Sequence, residues 1–186
     1  MPAEGGRSRR ISTGDRSQLD PNWSPDGKRL VFGGSQPDHS ADRPIQIHIL
    51  DLDSREVSTV PGSEGLFSPR WSPDGRSIAA LSADLHRLVL YEFATGRWRE
   101  LVKGTDGFAY PDWTHDGTHV QLLRGFTIVR VRASDGAIAP VASLDGVTLV
   151  LTEIDSWLGL DPDDSPLVLR EVTPGPEIYA LEVEWP

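Results

Sequence analysis

The sequence predicts an all-β fold built from four similar units, and two observations support this prediction. The pentapeptide Trp-Ser-Pro-Asp-Gly occurs at 23–27 and again at 71–75, and looser versions occur at 113–117 and 160–164. Its second turn residue stands at positions 25, 73, 115 and 162, so the intervals are 48, 42 and 47 residues. Each copy also lies between short apolar stretches. A recurrence of this length indicates an array of small units that bury their apolar surfaces against one another.

The pentapeptide predicts a tight hairpin turn, because each of its last four residues suits one turn position. Serine accepts a local hydrogen bond, proline presets φ, aspartate tolerates the bridge region and glycine adopts positive φ. The tryptophans that begin the first three turns occupy equivalent positions, and we expect them to be wedges between units. The residues predicted to define the repeat are Trp23, Asp26, Gly27, Trp71, Asp74, Gly75, Trp113, Asp116, Gly117, Asp163 and Asp164.

The stretches around each turn predict four short strands per unit, joined by tight turns. The runs 47–50, 88–91 and 127–129 are apolar on both faces, which is expected of strands in small sheets that stack face to face. Four-stranded antiparallel sheets of this size, arranged around an axis, make a β-propeller. The predicted propeller domain covers 7–186 after a disordered lead at 1–6, with blades at approximately 19–60, 67–102, 109–142 and 147–186 plus 7–13.

The two ends of the chain are predicted to be complementary parts of one blade. The segment 7–13 matches the outer strand that precedes each later repeat, whereas the stretch from 157 onward supplies three strands and no fourth. Pairing of these ends would close a ring of four blades and remove two open sheet edges. The pattern leaves two alternatives open. The chain is part of a larger propeller, or two chains exchange strands or blades in a homodimer.

The composition narrows the classes of function. The chain of 186 residues has a net charge of −10, so we expect a neutral or basic partner and no direct contact with nucleic acid. It has no cysteine, which excludes disulfides and thiolate chemistry. No apolar run has the length of a membrane span, and Met1–Arg10 lacks the apolar core of a signal peptide. We therefore expect a cytoplasmic location for the chain as given, or a periplasmic one if it is part of a longer precursor.

The residues that could carry chemistry do not form a known constellation. His115 and His119 have i, i+4 spacing, but they flank a hairpin turn, so their side chains need not converge on a metal. The acidic segment 161–164 lacks the ordered ligand series and the closing glutamate of a calcium loop. The sequence contains no nucleophile elbow, Walker loop or dinucleotide-binding glycine motif. We predict no catalytic residue, no metal and no cofactor.

The strongest candidate for a binding site is the loop 33–44, the longest insertion between a second and a third strand. Such loops lie on one face of a propeller, around its axis, and binding residues concentrate on loops that a rigid scaffold holds. The counterparts of this loop in the next two units, at 82–87 and 124–125, are shorter. The candidate binding residues are Gln36, Asp38, His39, Asp42, Arg43, His86 and Arg124.

The repeats resemble those of a known family. Trp23–Phe32 and Trp71–Leu81, in which the pentapeptide is followed by Lys or Arg and an apolar strand, resemble the TolB-like propeller repeat of bacteria, a relative of WD40 blades. The ending, Trp157–Leu160 with 163–169 and 177–181, resembles the C-terminal blade of bacterial regulators that join a winged-helix or kinase domain to a propeller. The resemblance implies a sensing or protein-docking module and transfers no catalytic residue.

We therefore expect a non-enzymatic interaction module that binds a protein or peptide partner in a bacterial sensory, regulatory or envelope system. One alternative is an enzyme-associated propeller, such as a peptidase gate or a polysaccharide lyase. Another is a truncated structural propeller with no ligand of its own. Arginine, histidine and carboxylates clustered around the axis would favour the enzyme class, whereas a plain or apolar axial opening would favour docking.

Overall fold

The computed structural model describes residues 11, 18–34, 45–148, 158–172 and 175–180. The regular secondary structure of these residues consists of β-strands. The strands form antiparallel sheets of consecutive strands, which confirms the predicted all-β propeller class. The described residues contain no helix that could cross a lipid bilayer.

Three sheets of four strands and one sheet of three strands are described. Blade 1 contains β1 (Leu19–Trp23), β2 (Arg29–Gly33), β3 (Ile47–Asp51) and β4 (Val57–Thr59). Blade 2 contains β5 (Leu66–Trp71), β6 (Ser77–Ser82), β7 (Arg87–Glu92) and β8 (Arg97–Lys103). Blade 3 contains β9 (Phe108–Trp113), β10 (His119–Arg124), β11 (Thr127–Arg132) and β12 (Ile138–Ser143). Blade 4 contains β13 (Leu158–Leu160), β14 (Pro166–Val172) and β15 (Gly175–Ala180).

The turn between the first and second strands of blade 2 shows how the pentapeptide folds. The Gly75 amide donates to the Ser72 carbonyl oxygen at 2.9 Å, and Gly75 has a φ of 72°, which a residue without Cβ adopts at no steric cost. The Asp74 carboxylate accepts the Ser72 hydroxyl at 2.6 Å and the Arg76 amide at 3.0 Å. The corresponding turns of blades 1 and 3 have the same hydrogen bonds. Local side-chain chemistry therefore sets the first hairpin of each of these blades.

In blade 4 an aspartate takes the place of the turn glycine. Asp164 has a φ of 63°, and its amide donates to the Asp161 carbonyl oxygen at 3.0 Å. The Asp161 carboxylate accepts the amides of Asp163 and Ser165, both at 2.9 Å. Aspartate is one of the few residues with a side chain that tolerate this left-handed conformation. The fourth repeat therefore keeps its turn with different side chains.

Consecutive blades pack face to face through apolar side chains. Trp71 of blade 2 is 6% exposed and lies in one cluster with Val31 and Ile47 of blade 1. Trp113 of blade 3 is 7% exposed and lies in one cluster with Leu90 of blade 2. A third cluster joins blades 3 and 4. Both indoles therefore lie between consecutive blades.

The first strands of successive blades are neighbours: β1 contacts β5, β5 contacts β9, and β9 contacts β13. The first strand of each blade is consequently the innermost one, beside the propeller axis. The last strand of each blade lies at the opposite edge of its sheet, at the periphery. Side chains that point inward from the first strands are the ones that line the axis.

Trp23 departs from the expected wedge role. Its side chain is 58% exposed, although it occupies the same repeat position as the two buried tryptophans. The reason is that no blade precedes blade 1 in the described part of the chain, so the indole has no apolar face to pack against. Apart from Ile11, the predicted strand 7–13 lies outside the described residues, as do the lead 1–6 and the predicted pairing of the two chain ends.

Candidate functional site

The first strands of blades 1, 2 and 3 each contain a residue in the left-handed backbone conformation. Asp20, Ser68 and Tyr110 have φ of 56°, 51° and 53°, and each precedes its repeat tryptophan by three residues. The strand pairing changes register around each of these residues, as it does at a β-bulge. Bulges redirect side chains and are common beside functional sites, and positive φ is costly for residues that carry a Cβ. The same energetically unfavourable backbone conformation therefore occurs in three blades, each time on the innermost strand.

Contacts of Asp20 with Ser68 and Arg70 join the inner strands of blades 1 and 2. The Arg70 guanidinium lies 2.7 Å from one oxygen of the Asp20 carboxylate, and the Ser68 hydroxyl donates to the other at 2.6 Å. The Arg70 side chain is 16% exposed and the Asp20 side chain 40% exposed, so the pair lies at the boundary between the packed interior and solvent. An ion pair in such a position is screened less than a fully exposed one.

A second layer of inner-strand residues lies two positions further along the chain. Asn22, Arg70 and Asp112 each precede the repeat tryptophan by one residue. The Asn22 side-chain oxygen accepts the Trp71 amide at 2.8 Å, and the Trp113 indole donates to the Arg70 carbonyl oxygen at 3.1 Å. Hydrogen bonds therefore link blade 1 to blade 2 and blade 2 to blade 3 at the axis.

Asp112 is a half-buried carboxylate in this layer. Burial raises its pKa, while the nearby Arg70 charge and a hydrogen bond from the Trp113 amide at 3.0 Å oppose the rise. A carboxylate whose charged form is destabilised by burial gains from a cationic partner, because pairing offsets the loss of hydration. Asp112 is therefore suited to receive an ammonium or guanidinium group.

We refer to these inner-strand residues as the axial cluster: Asp20, Asn22, Ser68, Arg70, Tyr110 and Asp112. The cluster contains two carboxylates and one guanidinium, so the axis is charged rather than plain or apolar. The first layer of the cluster is Asp20, Ser68 and Tyr110, and it lies at the end of the sheets that holds the loops between second and third strands. Leu19 and Phe108 begin their first strands, and they pair with Gly33 and Arg124, which end the second strands. This is the end of the molecule where the sequence predicts a binding site.

A separate polar contact joins the turns of blades 3 and 4. Nδ1 of His115 lies 2.6 Å from Oδ1 of Asp164, which also accepts the His115 amide at 2.9 Å. This hydrogen bond raises the pKa of His115, whereas burial lowers the pKa of His119. The ring of His119 contacts Thr118 at 2.7 Å. Among the described residues, no three histidine, aspartate or glutamate side chains are grouped to hold a metal ion.

Two of the predicted binding residues lie in the described structure. Arg124, at the end of β10, forms an ion pair with Asp106 at 2.9 Å. His86 follows β6, and its amide donates to the Asp84 carboxylate at 3.1 Å. These contacts are local and do not include the axial cluster. The other five candidates lie outside the described residues: Gln36, Asp38, His39, Asp42 and Arg43.

A pocket of about 380 Å³ lies between blades 1 and 2, away from the axis. Its wall includes the charged side chains of Arg29, Asp51 and Glu56 and the rings of Tyr91 and Phe93. Apart from Arg29, at the start of β2, these residues lie on or beside the third and fourth strands of their blades, and none of the five is a predicted binding residue. The pocket is open and shares no residue with the axial cluster.

Sequence inspection missed the axial cluster, although the sequence contains a signal for it. In the first three units the residue three positions before the repeat tryptophan is Asp, Ser or Tyr, and the residue one position before it is Asn, Arg or Asp. Polar residues at fixed offsets beside a buried tryptophan indicate one polar line along each inner strand. The signal is visible only when the units are aligned on the tryptophan.

Stacked four-stranded sheets with a polar inner line define this protein as a β-propeller. Solved structures agree: TolB from Acinetobacter baumannii has a TM-score of 0.69 and 21% identity, covering 91% of this chain and 42% of that chain. The β-propeller domain of the Trilobed protease from Pyrococcus furiosus has a TM-score of 0.60 and 17% identity, covering 90% and 55%. The acylaminoacyl peptidase of Pyrococcus horikoshii has a TM-score of 0.57 and 12% identity, covering 90% and 32%.

The fold is thus similar to TolB and to other β-propellers, as the repeat motif implied. The chain spans between about a third and about half of the length of these structures. No protein-family model matches the sequence, and no curated protein matches it either. The more specific resemblance to winged-helix or kinase-linked regulators has no counterpart in these three structures and stays a prediction.

Proposed function

We propose that the protein is a non-enzymatic binding module whose axial cluster receives an extended segment of a protein or peptide partner. The observation that carries the proposal is the repeated left-handed conformation of Asp20, Ser68 and Tyr110 at the axis. Each such residue costs roughly 1–3 kcal/mol, and strain of this kind concentrates at functional sites. A cost that is repeated at the same place beside the axis in three blades supports a binding role for the polar groups there.

The charges of the axial cluster favour a basic segment as the ligand. Asp112 gains from a cationic partner, because burial destabilises its charged form. The Arg70 guanidinium offers hydrogen bonds that backbone carbonyl groups of an extended peptide can accept. The net charge of −10 adds long-range attraction for a basic partner. Similarity to TolB supports a role in a bacterial regulatory or envelope system.

The runner-up is an enzyme-associated propeller that admits peptides to a peptidase. Similarity to the propeller of the Trilobed protease and to an acylaminoacyl peptidase supports it, and so does the charged axis. Against an active site in the axial cluster stands the Ser68 hydroxyl, which is hydrogen-bonded to Asp20 and not to a histidine base. The proposal therefore assigns binding, and no bond cleavage, to this chain.

The proposal is tested with peptides selected against the immobilised protein from a displayed random library. Affinities of the selected peptides, measured by fluorescence anisotropy, are expected to fall at least about tenfold in Asp112→Asn and in Arg70→Gln, since each variant removes one hydrogen-bonded charge. Arg99→Gln is the matched control. Arg99 forms a comparable ion pair with Glu92 at 2.9 Å, but on the outer part of blade 2.

Three results would contradict the proposal. Unchanged affinities in both axial variants would place the binding site elsewhere. A selection that enriches no peptide would favour the structural alternative with no ligand. Hydrolysis of a selected peptide by the purified chain, detected by mass spectrometry, would favour the enzyme class.

A further inference from the structure

An arginine side chain connects blades 2 and 3 at the outer part of their junction. Arg99, on the fourth strand of blade 2, forms an ion pair with Glu92 of the same blade at 2.9 Å. It also donates a hydrogen bond to the Ala133 carbonyl oxygen of blade 3. The side chains of Arg99 and Glu92 are each 39% exposed, so the contact is partly covered. The guanidinium therefore links a carboxylate on one blade with a backbone oxygen on the next.

The pocket between blades 1 and 2 lies at the equivalent junction, where a serine takes the place of this arginine. Arg99 pairs with the residue two positions before the end of β7, and Ser58 pairs with the residue two positions before the end of β3. Ser58 lines the pocket, and a serine side chain is too short to reach from one blade to the next. The open volume of about 380 Å³ therefore lies where the next junction holds an arginine.

The groups that hold Arg99 have counterparts in this pocket. Asp51 ends β3 as Glu92 ends β7. Phe93 directly follows β7, as Ala133 directly follows β11. Asp51 and Phe93 both line the pocket. A carboxylate of blade 1 and a backbone segment of blade 2 are thus placed on its two sides, as they are around the guanidinium between blades 2 and 3.

The charged groups of the pocket favour a cation. Asp51 lines it together with Glu56, which stands in the turn between β3 and β4. Neither carboxylate forms an ion pair within the part of the chain that the structure describes. Arg29, opposite Asp51 in the strand pairing, adds one positive charge to the wall. Two carboxylates and one guanidinium leave a negative charge that a bound cation can neutralise.

Two aromatic rings form another part of the pocket wall. Phe93 and Tyr91 line the pocket from blade 2. The Phe93 ring stacks on Trp71 with ring centroids 5.0 Å apart, and it meets the Tyr91 ring edge-on at 5.2 Å. Its orientation is therefore fixed by packing. A guanidinium group stacks on an aromatic face, and its alkyl stem packs on apolar surface.

We propose that this pocket binds an arginine side chain of a protein partner. The chain contains a filled and an open copy of the same junction, and the filled copy defines the chemistry of the ligand. The bound guanidinium pairs with Asp51 and Glu56 as Arg99 pairs with Glu92, and its plane lies against the aromatic wall. Arginine is preferred to lysine, because its planar fork can bond a carboxylate and a carbonyl oxygen at the same time.

This site is separate from the axial cluster. Arg29 begins β2 and Asp51 ends β3, whereas the first layer of the axial cluster lies at the end of the sheets where β2 ends and β3 begins. The pocket and the axial cluster share no residue. The proposal therefore does not rest on the proposed axial function. Asp112→Asn, which is expected to weaken axial binding, is expected to leave binding in the pocket unchanged.

NMR titration of the nitrogen-15-labelled full chain with N-acetyl-L-arginine N-methylamide tests the proposal. This compound presents an arginine side chain as it occurs within a polypeptide. The backbone amide signals of Ser54, Glu56 and Phe93 are expected to shift together, with a Kd of about 1 mM. The Trp98 indole signal is a further reporter, since this indole donates to the carbonyl oxygen of Pro61 in the pocket wall.

A matched ligand separates charge from shape. The corresponding citrulline derivative has a neutral urea group in place of the guanidinium. It is expected to bind at least about tenfold more weakly, because it forms no charge-assisted hydrogen bond with the two carboxylates.

Variants of the pocket provide the second test. The guanidinium introduced by Ser58→Arg is expected to fill the pocket from within and to abolish binding. Ser58→Ala is the matched control, since it leaves the pocket open, and it is expected to keep the wild-type affinity. Glu56→Gln is expected to weaken binding at least about threefold, because it removes one of the two carboxylates. Glu100→Gln, at an exposed position on β8 outside the pocket, is expected to have no effect.

The proposal is overturned if no signal shifts at about 20 mM of the arginine derivative, well above the expected Kd. It is also overturned if the citrulline derivative binds equally well, if the shifted signals lie away from the pocket, or if Ser58→Arg keeps the wild-type affinity. Binding of free L-arginine without binding of the blocked derivative overturns it too, since the pocket would then receive a free amino acid. The spectra report whether each variant is folded. If Ser58→Arg is unfolded, an unchanged affinity in Glu56→Gln overturns the proposal.

Discussion

The guanidinium of Arg70 lies 2.7 Å from the carboxylate of Asp20, although fifty positions separate the two residues along the chain. This ion pair connects the innermost strands of blades 1 and 2 beside the propeller axis. We predict that the two side chains are energetically coupled. A double-mutant cycle of Asp20→Asn and Arg70→Gln measures this coupling from free energies of unfolding in urea. The coupling free energy is expected to be about 1 kcal/mol, since the pair is partly buried.

A cycle through Arg132 and Asp135 is the control for this prediction. That pair is separated by a similar distance, 2.8 Å, but both side chains are 52% exposed and only three positions apart in the chain, so the expected coupling is below about 0.5 kcal/mol. Equal coupling in the two cycles would show that the axial position adds nothing.

We predict that Asp112→Asn stabilises the fold at neutral pH. Burial raises the pKa of Asp112 above its usual value of 3.8. The folded state therefore disfavours the charged form, so the stability available below pH 3.8 is lost as pH rises through the folded-state pKa. Asparagine has no charge to bury and keeps an oxygen to accept the Trp113 amide. The melting temperature of the variant is expected to exceed that of wild type at pH 7 and to match it near pH 3; a variant melting lower at pH 7 would refute this.

We predict that the contact between blades 3 and 4 weakens as pH rises through the folded-state pKa of His115. The hydrogen bond with Asp164 raises the pKa of His115 above 6.5. The stabilisation is therefore complete below pH 6.5 and is lost as pH rises through the folded-state pKa. Because the His115 side chain is 63% exposed, solvent screening keeps the effect small.

Thermal melting between pH 6 and pH 9 checks the prediction for His115. The wild-type melting temperature is expected to fall across this range, and His115→Gln is expected to remove most of the fall. His119→Gln is the matched control, because His119 does not contact Asp164 and burial lowers its pKa. If the pH dependence of the melting temperature remains in His115→Gln and disappears in His119→Gln, the effect belongs to His119 and not to His115.

Asp116 is expected to contribute stability that acid removes. Hydrogen bonds from the Thr118 amide and from the Thr114 and Thr118 hydroxyls lower its pKa from 3.8 to about 2. Its contribution is therefore present above pH 3.8 and is lost as pH falls through about 2. Asp116→Ala is expected to lower the free energy of unfolding by about 1 kcal/mol at pH 7, after allowance for solvent screening, and to leave it almost unchanged at about pH 1.5. A constant cost at both pH values would show that the turn needs the shape of the side chain and not its charge.

The turn glycines are expected to resist substitution. Gly75 has a φ of 72°, and a Cβ at this position would lie 3.3 Å from Cγ of Pro25. We predict that Gly75→Val lowers the free energy of unfolding by roughly 1–3 kcal/mol, because positive φ excludes β-branched residues. Gly34→Ala is the control, since an added Cβ there meets nothing closer than 3.8 Å, and it is expected to change stability little. An unchanged melting temperature for Gly75→Val would contradict the turn assignment.

The four hairpin turns could be predicted from the sequence because their chemistry is local. Serine, aspartate and glycine at neighbouring positions satisfy one another's hydrogen bonds whatever the rest of the chain does, as in the turn around Asp74. The fourth turn shows the limit of this prediction. Its aspartates predict a turn, but the contact of Asp164 with His115 joins residues 49 positions apart and has no local signature.

The axial cluster has no such local signature within a single unit. Arg70 on its own resembles any charged residue beside an apolar strand, and Asp20 lies in a segment with few apolar residues. Their partnership depends on how two sheets are stacked. The sequence favours the loop 33–44 instead, because an insertion is visible directly, whereas the polar line of the inner strands appears only when the units are aligned on the tryptophan.

By itself the sequence determined the class of fold, the division into four units and the position of each tight turn, since these depend on interactions between residues a few positions apart. Only the tertiary structure decided which polar residues meet at the axis and which tryptophans are covered. Trp23 and Trp71 begin identical pentapeptides, yet one is exposed and the other is buried. The physical reason is that burial depends on the neighbouring blade, and blade 1 has no described blade before it.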